Sequence, residues 1–198
     1  MLSKADKTKQ LIIEKAAPLF NTKGYAGTSM NDIMSATGLT KGGLYGNFDN
    51  KDEIAALAFE YSYNKLKTEL VFKIKQQRNA IDKLFAILAF HRNYSIHSPV
   101  EGGCPLLNTS VDADDAYPFL KKIAKEALKD MLGGLQHIIQ NGIDHGQLKA
   151  SVDARREAEV MFAQIEGGIM MSKVSDDVKM LHRVLDNLKC YIETNLKT

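Results

Sequence analysis

The sequence lacks most of the features that mark membrane, secreted and metal-binding proteins. It has no tryptophan, two cysteines and no run near the roughly 20 apolar residues that a membrane-spanning helix needs. The first ten residues, MLSKADKTKQ, have no apolar core of the kind found in signal peptides. Cys104 and Cys190 are far apart and show no metal-ligand spacing. These absences predict a reduced cytoplasmic protein without a membrane segment, a bound metal or a disulfide framework.

An excess of charge of one sign is also missing, since the net charge of the 198 residues is only +2. The composition is 44% hydrophobic and 25% charged, which is ordinary for a globular chain of one large or two small domains. The charge is nevertheless uneven. Residues 1–51 carry seven lysines and four acidic residues, whereas the rest carries 19 basic and 20 acidic residues. A mildly basic N-terminal segment is compatible with a polyanionic partner but does not identify one.

Apolar residues recur at helical spacing through the chain, and no segment shows convincing strand alternation. We therefore predict an all-α protein with a small N-terminal domain over residues 1–51 and a larger helical domain over residues 52–198. Gly24 and Gly38 are typical C-terminal stops, and Thr40 is a typical N-cap. The predicted helices cover residues 7–23, 29–37, about 41–48, 52–75, a segment that begins at Asn79, then 118–145, 153–174 and 177–196.

The segment TGLTKGGLYGNFDNKDE, residues 37–53, contains four glycines, which is unusual in a helical region. A glycine inside a helix costs roughly 1 kcal/mol relative to alanine. Two short helices joined by a tight turn at Gly38 match a helix-turn-helix, whose second helix enters the DNA major groove. The same spacing fits a packing turn in a protein that never binds DNA. The spacing alone leaves both interpretations open.

The second helix of this unit carries the residue types that contact DNA. Lys41 supplies positive charge, Gly42 and Gly43 let the backbone approach the duplex, and Tyr45 offers a ring and a hydroxyl. Phosphate contacts position such a helix, and base contacts specify the sequence. The predicted contact set on this segment is Thr40, Lys41, Gly42, Gly43, Tyr45, Asn47 and Lys51.

Ordered motifs across the first 54 residues resemble one family. They read A-x-x-L-F-x-x-x-G-Y from Ala16, T-S-M-x-D-I from Thr28, T-G-L-T-K-G-G-L-Y-x-x-F from Thr37 and N-K-D-E-I from Asn50. A dozen positions agree with the motifs of that family in order and spacing. Together they resemble the DNA-binding domain of the tetracycline-repressor (TetR) family of transcriptional regulators.

The resemblance implies an all-helical homodimer with no catalytic residues and no cofactor. Three N-terminal helices would bind double-stranded DNA at a palindromic operator, and a C-terminal bundle would bind a small-molecule effector that releases the repressor. It also implies a DNA-facing role for Thr28. The sequence departs from the family at Gly46 and Asn47, where many members have Tyr-His, and at Met34, where alanine is usual. The operator sequence therefore cannot be carried over.

Two apolar stripes near the C-terminus are candidates for a dimer interface. Two DNA-reading helices about 34 Å apart hold a palindrome more tightly than one, and a homodimer needs a self-complementary surface. The resemblance favours such an interface, although the stripes also fit the core of a single protomer. The predicted interface consists of Val160, Ile165, Gly168, Leu181, Leu185, Leu188 and Ile192.

The effector site is harder to predict, because the candidate residues are the types expected in any helical core. Histidines and aromatic side chains in the middle of the chain are the main candidates. The predicted effector contacts are His91, Tyr94, Cys104, Leu107, Phe119 and Phe162.

Cys104 stands before Pro105 in EGGCPLLN, at a predicted helix N-cap, where the helix dipole favours a thiolate. The GC-x-L-x-N segment resembles one branch of the family, which includes regulators that sense electrophiles or oxidants through this cysteine. Free cysteines are often buried, and Asp112, Asp114 and Asp115 would oppose a thiolate if they lie near. A thiol-based sensor is therefore the alternative function, and a packed, inert cysteine is the competing interpretation.

Overall fold

The computed structural model describes residues 3–92, 94, 96–113 and 116–198, and within these residues the chain is almost entirely helical. This confirms the predicted all-α class. The described residues contain one isolated antiparallel bridge, between Leu148 and Lys197. The helices are α1 (Lys4–Gly27), α2 (Met30–Thr37), α3 (Lys41–Tyr45), α4 (Lys51–Lys75), α5 (Ala80–His91), α6 (Pro105–Ala113), α7 (Pro118–Asp144), α8 (Ala154–Ser175) and α9 (Val178–Tyr191).

Local capping sequences place several helix ends where they were predicted. Ser29 and Asp32 form a reciprocal capping box at the start of α2. Gly38 ends α2 in the left-handed region, with a φ of 70°. The Thr40 hydroxyl accepts a hydrogen bond from the Gly43 N–H at 3.2 Å, which caps α3. The turn between α2 and α3 is thus specified by residues within it.

Three helices end more than one residue away from their predicted C-terminal ends. Gly24 does not end α1 but interrupts it, because three further helical residues follow its left-handed backbone. Helix α3 ends at Tyr45 rather than at residue 48. The last predicted helix ends as an α-helix at Tyr191 and continues as one π-helical turn, Ile192–Leu196.

The chain divides into two compact units. One consists of Met1–Leu66 and Pro99–Ala127, and the other of Lys67–Ser98 and Leu128–Thr198. The divisions fall inside α4 and α7, so these two helices contribute residues to both units. The predicted domain boundary after residue 51 stays a prediction.

In the first unit, one hydrophobic cluster holds α1, α2, α3 and the start of α4 together. Leu44 of α3 is fully buried, and Phe48, three residues beyond α3, is nearly so. These two side chains fix the face that α3 turns inward, and therefore the face that it leaves exposed. The buried members of the cluster are Ile12, Ala16, Ala17, Ile33, Leu44, Phe48, Ile54 and Ala58.

In the second unit, two glycines allow neighbouring segments to pack closely against a helix. A Cβ on Gly142 of α7 would lie 2.7 Å from Ala80 Cβ and 2.8 Å from a methyl of Leu148. A Cβ on Gly168 of α8 would lie 3.0 Å from a methyl of Leu181.

None of the described helices combines the length and apolarity that crossing a bilayer requires.

Candidate DNA-binding surface

Helix α3 presents a charged and an aromatic side chain on one exposed face. Leu44 points into the core, which leaves Lys41 exposed and Tyr45 45% exposed. The Lys41 ammonium lies 5.9 Å from the centroid of the Tyr45 ring, within the range of a weak cation–π contact. The two predicted contact residues are therefore neighbours, and both face outward.

The glycines of α3 are not required by the packing of the protein itself. A Cβ on Gly42 would meet nothing within 4 Å, and one on Gly43 would make an ordinary contact with the Thr40 hydroxyl at 3.5 Å. Both residues have helical backbone, so no positive φ demands glycine. An alanine would fit at Gly42 and would favour the helix. The bare backbone at this position is left open to an external partner.

Two other predicted contact residues use their side chains internally. Thr28 is fully buried, and its hydroxyl donates to the Gly24 carbonyl at 2.8 Å. The Asn47 side-chain amide donates to the Gly43 carbonyl at 2.8 Å and so satisfies one of the last carbonyls of α3. This geometry favours structural roles for both side chains, and a DNA contact by either residue stays a prediction.

Lys51 begins α4 and rests on an aromatic ring. Its ammonium lies 4.0 Å from the centroid of the Tyr25 ring, while the Tyr25 hydroxyl donates a hydrogen bond to the Asp52 carboxylate. Burial, followed by the Asp52 carboxylate, raises the pKa of Tyr25 to about 12. The neutral ring therefore persists at any ordinary pH. The motif A-x-x-L-F-x-x-x-G-Y includes Tyr25 but does not indicate this role, because only the tertiary structure brings the ring beside Lys51.

The six predicted effector contacts lie in both compact units. Phe162 is half-buried in the second unit. His91 and Tyr94 are buried there, with ring centroids 5.4 Å apart. Burial lowers the pKa of His91 to about 4, and its Nδ1 pairs with the Ile87 carbonyl at 2.8 Å. In the first unit, Cys104 is buried and Leu107 and Phe119 are half-buried.

Cys104 occupies the N-cap position of α6, as predicted. Its Sγ accepts a hydrogen bond from the Leu107 N–H at 3.5 Å, and the residue is only 4% exposed. Of the acidic residues expected to oppose a thiolate, Asp112 accepts a hydrogen bond from the Tyr25 N–H, and Asp114 and Asp115 lie outside the described residues. In the described part of the chain, no group of three or more His, Cys, Asp or Glu side chains is arranged to hold a metal ion.

The predicted dimer interface requires a correction. Five of its seven residues are at most 2% exposed, and Gly168, also buried, packs against Leu181 of the same protomer. Buried side chains cannot contact a partner, so these residues form the protomer's own core, which was the alternative interpretation. Of the predicted set only Val160 is exposed, at 41%. The five buried side chains are Ile165, Leu181, Leu185, Leu188 and Ile192.

The opposite face of α8 carries a second row of apolar and small residues. Their spacing of three and four residues places them on one side of the helix. Met170 is 50% exposed and Val174 is 82% exposed, which is unusual for such residues in water. Of this row, only Val160 belongs to the predicted interface, because helical periodicity alone does not separate this face of α8 from the buried one. We call the row the α8 stripe, and it consists of Val160, Ala163, Gly167, Met170 and Val174.

Comparison with known proteins agrees with this architecture. Residues 12–58 match the family model of bacterial regulatory proteins of the tetR family. Residues 80–188 match the model of the tetracyclin repressor-like C-terminal domain. The first match contains α2, α3 and Lys51, and the second contains the α8 stripe and α9 up to Leu188.

Three similar proteins span nearly the whole chain. A TetR-family transcriptional regulator from Cytophaga hutchinsonii is 37% identical, covers 100% of this chain and 98% of its own, and has a TM-score of 0.94. A TetR transcriptional regulator from Chloroflexus aurantiacus is 33% identical, with 99% of both chains covered and a TM-score of 0.95. An uncharacterised HTH-type transcriptional regulator in the lacX 3′ region of Lactococcus lactis subsp. lactis is 28% identical, with 94% of this chain and 93% of its own covered.

Members of the TetR family are DNA-binding regulators rather than enzymes, form homodimers and respond to small-molecule effectors. The two family models together account for most of the chain, and two solved regulators match it from end to end at more than 30% identity. The chain belongs to the TetR family of transcriptional regulators.

Proposed function

We propose that this protein is a dimeric repressor that binds a palindromic operator through α3 and is released by a small-molecule effector. The exposed face of α3 carries this proposal. It combines Lys41, Tyr45 and an open backbone at Gly42, and Lys51 begins the helix that follows, with its ammonium over the Tyr25 ring. Nothing in the packing of the first unit requires that combination.

Each residue has a distinct role in the proposed complex. Lys41 and Lys51 neutralise phosphates, and Tyr45 contacts a sugar or phosphate with its ring or hydroxyl. Gly42 removes side-chain bulk where the N-terminus of α3 meets the duplex. Thr40 holds that N-terminus in place through its cap on the Gly43 N–H.

The proposed dimer forms through the α8 stripe rather than through the buried residues of α8 and α9. Gly167 and Ala163 allow close helix approach, and Met170 is unbranched and can fit an irregular partner surface. A two-fold axis would place the same row of residues on both protomers, as a homodimer requires. The dimer presents two copies of α3 to the two half-sites of a palindrome.

Release by an effector follows from linkage. A small molecule that binds the DNA-incompetent conformation more tightly weakens DNA binding. By linkage, DNA weakens the binding of the small molecule by the same factor. All six predicted effector contacts stay proposals: His91, Tyr94 and Phe162 in the second unit, and Cys104, Leu107 and Phe119 in the first. An effector identified by thermal shift is expected to raise the Kd for DNA, and one that leaves this Kd unchanged would contradict a role in release.

Fluorescence anisotropy with the DNA upstream of the protein's own gene tests the proposed function. We expect that DNA to bind at least about a hundredfold more tightly than a scrambled duplex at matched salt, since specific sites typically exceed non-specific ones by 10³ or more. The Lys41→Met variant should flatten the dependence of log Kd on log salt by about 0.9 per protomer. The Lys129→Met variant is the control, because Lys129 is exposed on α7 in the other unit. Equal affinity for both duplexes would refute specific binding to this DNA.

The alternative proposal is a response through the Cys104 thiol. The hydrogen bond from the Leu107 N–H to Sγ favours it, because this N–H would stabilise a thiolate at the N-terminus of α6. The 4% exposure of Cys104 opposes it. An electrophile that weakens DNA binding by the native protein but not by the Cys104→Ser variant would support the alternative. Cys190 is exposed, so Cys190→Ser is the matched control.

A further inference from the structure

Helix α1 contains a break in its hydrogen bonding. Gly24 has φ 72° and ψ 175°, whereas the residues before it and Tyr25 to Gly27 after it are helical. A helical hydrogen bond from the Tyr25 N–H to the Asn21 carbonyl would have to span Gly24. The non-helical backbone of Gly24 prevents that bond, so both groups need other partners.

Helix α6 supplies a partner for each freed group. The Asn108 side-chain amide donates to the Asn21 carbonyl at 3.0 Å, and the Asp112 carboxylate accepts from the Tyr25 N–H. Asn108 and Asp112 are four residues apart, which places them on the same face of α6. Two side chains of one helix therefore replace one missing backbone bond of another.

The Asp112 carboxylate also fills the space beside Gly24. A Cβ at Gly24 would lie 3.0 Å from Asp112 Oδ1, and the positive φ independently favours glycine there. The break in α1 and the carboxylate of α6 are thus fitted to each other. This contact lies outside the helix-turn-helix, but Gly24 is only six residues before the start of α2 at Met30.

From Tyr25 the contacts continue to the proposed DNA surface. The Tyr25 ring packs 4.4 Å from the Tyr117 ring centroid and 5.5 Å from that of Phe119. Its hydroxyl donates to Asp52, and the Lys51 ammonium lies above its face. A shift of the Tyr25 backbone would therefore move the surface on which Lys51 rests.

We propose that Asp112 is a positioning residue for DNA binding: it fixes the Tyr25 backbone, and the Tyr25 ring then holds the Lys51 ammonium where it meets a phosphate. This proposal rests on the proposed function. It gives α6, which lies outside the helix-turn-helix, an indirect effect on DNA affinity through Tyr25 and Lys51.

The test measures the slope of log Kd against log salt for the native dimer, four single variants and one double variant. Lys51→Met should flatten the slope by about 1.8, which is about 0.9 for each of two phosphates. Asp112→Ala and Tyr25→Leu should produce part or all of that loss and raise Kd about tenfold. Adding Asp112→Ala to Lys51→Met should flatten the slope no further, because the two act through the same phosphate contact. Asp112→Asn keeps an oxygen acceptor for the Tyr25 N–H and should restore the native slope.

Asp144→Ala is the charge-matched control, because Asp144 is an exposed carboxylate at the end of α7 in the other unit. Circular dichroism identifies variants that fold, and a folded Asp112→Ala or Tyr25→Leu protein with the native slope overturns the proposal. So does an unchanged slope in Lys51→Met, whose side chain is partly exposed and whose loss leaves the core intact. If the native protein binds its upstream DNA no better than scrambled DNA, the proposed function fails first.

Discussion

Replacing Gly42 by alanine separates the needs of the fold from the needs of DNA binding. Apart from its chain neighbours and the backbone of α3 itself, the added methyl group would meet no protein atom within 4 Å. The free protein should therefore accept it without strain. In the proposed complex the same methyl group points toward the duplex, where α3 approaches most closely. The substitution is expected to stabilise the protein and to weaken DNA binding.

The two effects have comparable size and opposite sign. Alanine favours a helix over glycine by about 0.5–1 kcal/mol, which raises Tm by about 1–4 °C in a chain of this size. Inserting a methyl group into a close-packed contact costs about 1–3 kcal/mol. At each half-site that cost amounts to at least about fivefold in Kd.

Differential scanning calorimetry and fluorescence anisotropy at one salt concentration measure the two effects. Gly133→Ala is the matched control, because a Cβ on Gly133 of α7 also meets nothing within 4 Å and lies in the other unit. The control should gain stability and keep its Kd. A Gly42→Ala protein that gains stability and binds DNA as tightly as the native protein would refute the close-approach argument.

Three further predictions follow from single residues. Gly46→Tyr should tighten DNA binding two- to tenfold by adding a hydroxyl that donates a hydrogen bond to a phosphate. The Cβ of the new side chain would lie 3.0 Å from the Gly42 carbonyl oxygen, which the backbone must accommodate. An unchanged Kd and salt slope would make this glycine incidental to DNA binding. Met170→Glu should convert the dimer to monomers in analytical ultracentrifugation and weaken DNA binding. Phe72→Glu, at another exposed apolar side chain, should do neither. A dimeric Met170→Glu protein would rule out the α8 stripe as the dimer interface. Burial lowers the pKa of His91 to about 4, so the folded state binds fewer protons than the unfolded state between that value and about 6.5. The free energy of unfolding should therefore fall by about 3 kcal/mol as pH drops through this window, and His91→Gln should remove that loss; equal pH dependence in both proteins, measured by urea unfolding, would contradict it.

The helix-turn-helix could be read from the sequence because its signals are local. Ser29 caps α2 through Asp32, and Thr40 caps α3 through Gly43, each within three residues. Gly38 takes a positive φ that glycine adopts without penalty. Such signals act before any distant contact forms, so their positions along the chain are enough to predict them.

Gly24 shows where local reasoning stops. A glycine after a helical stripe predicts an end, yet α1 resumes beyond it. The break is tolerated because Asn108 and Asp112, more than 80 residues away in the chain, satisfy the freed groups. No pattern near Gly24 carries that information.

The C-terminal helices mark the same limit. Sequence periodicity alone determined that α8 and α9 are amphipathic, because the 3.6-residue repeat fixes which side chains share a face. Only the tertiary structure decided that Ile165, Leu181 and Leu185 turn inward while Met170 and Val174 remain exposed. An apolar stripe gains the same free energy per unit area against its own chain as against a partner. The surface that covers it is therefore set by long-range packing, which a repeat in the sequence does not encode.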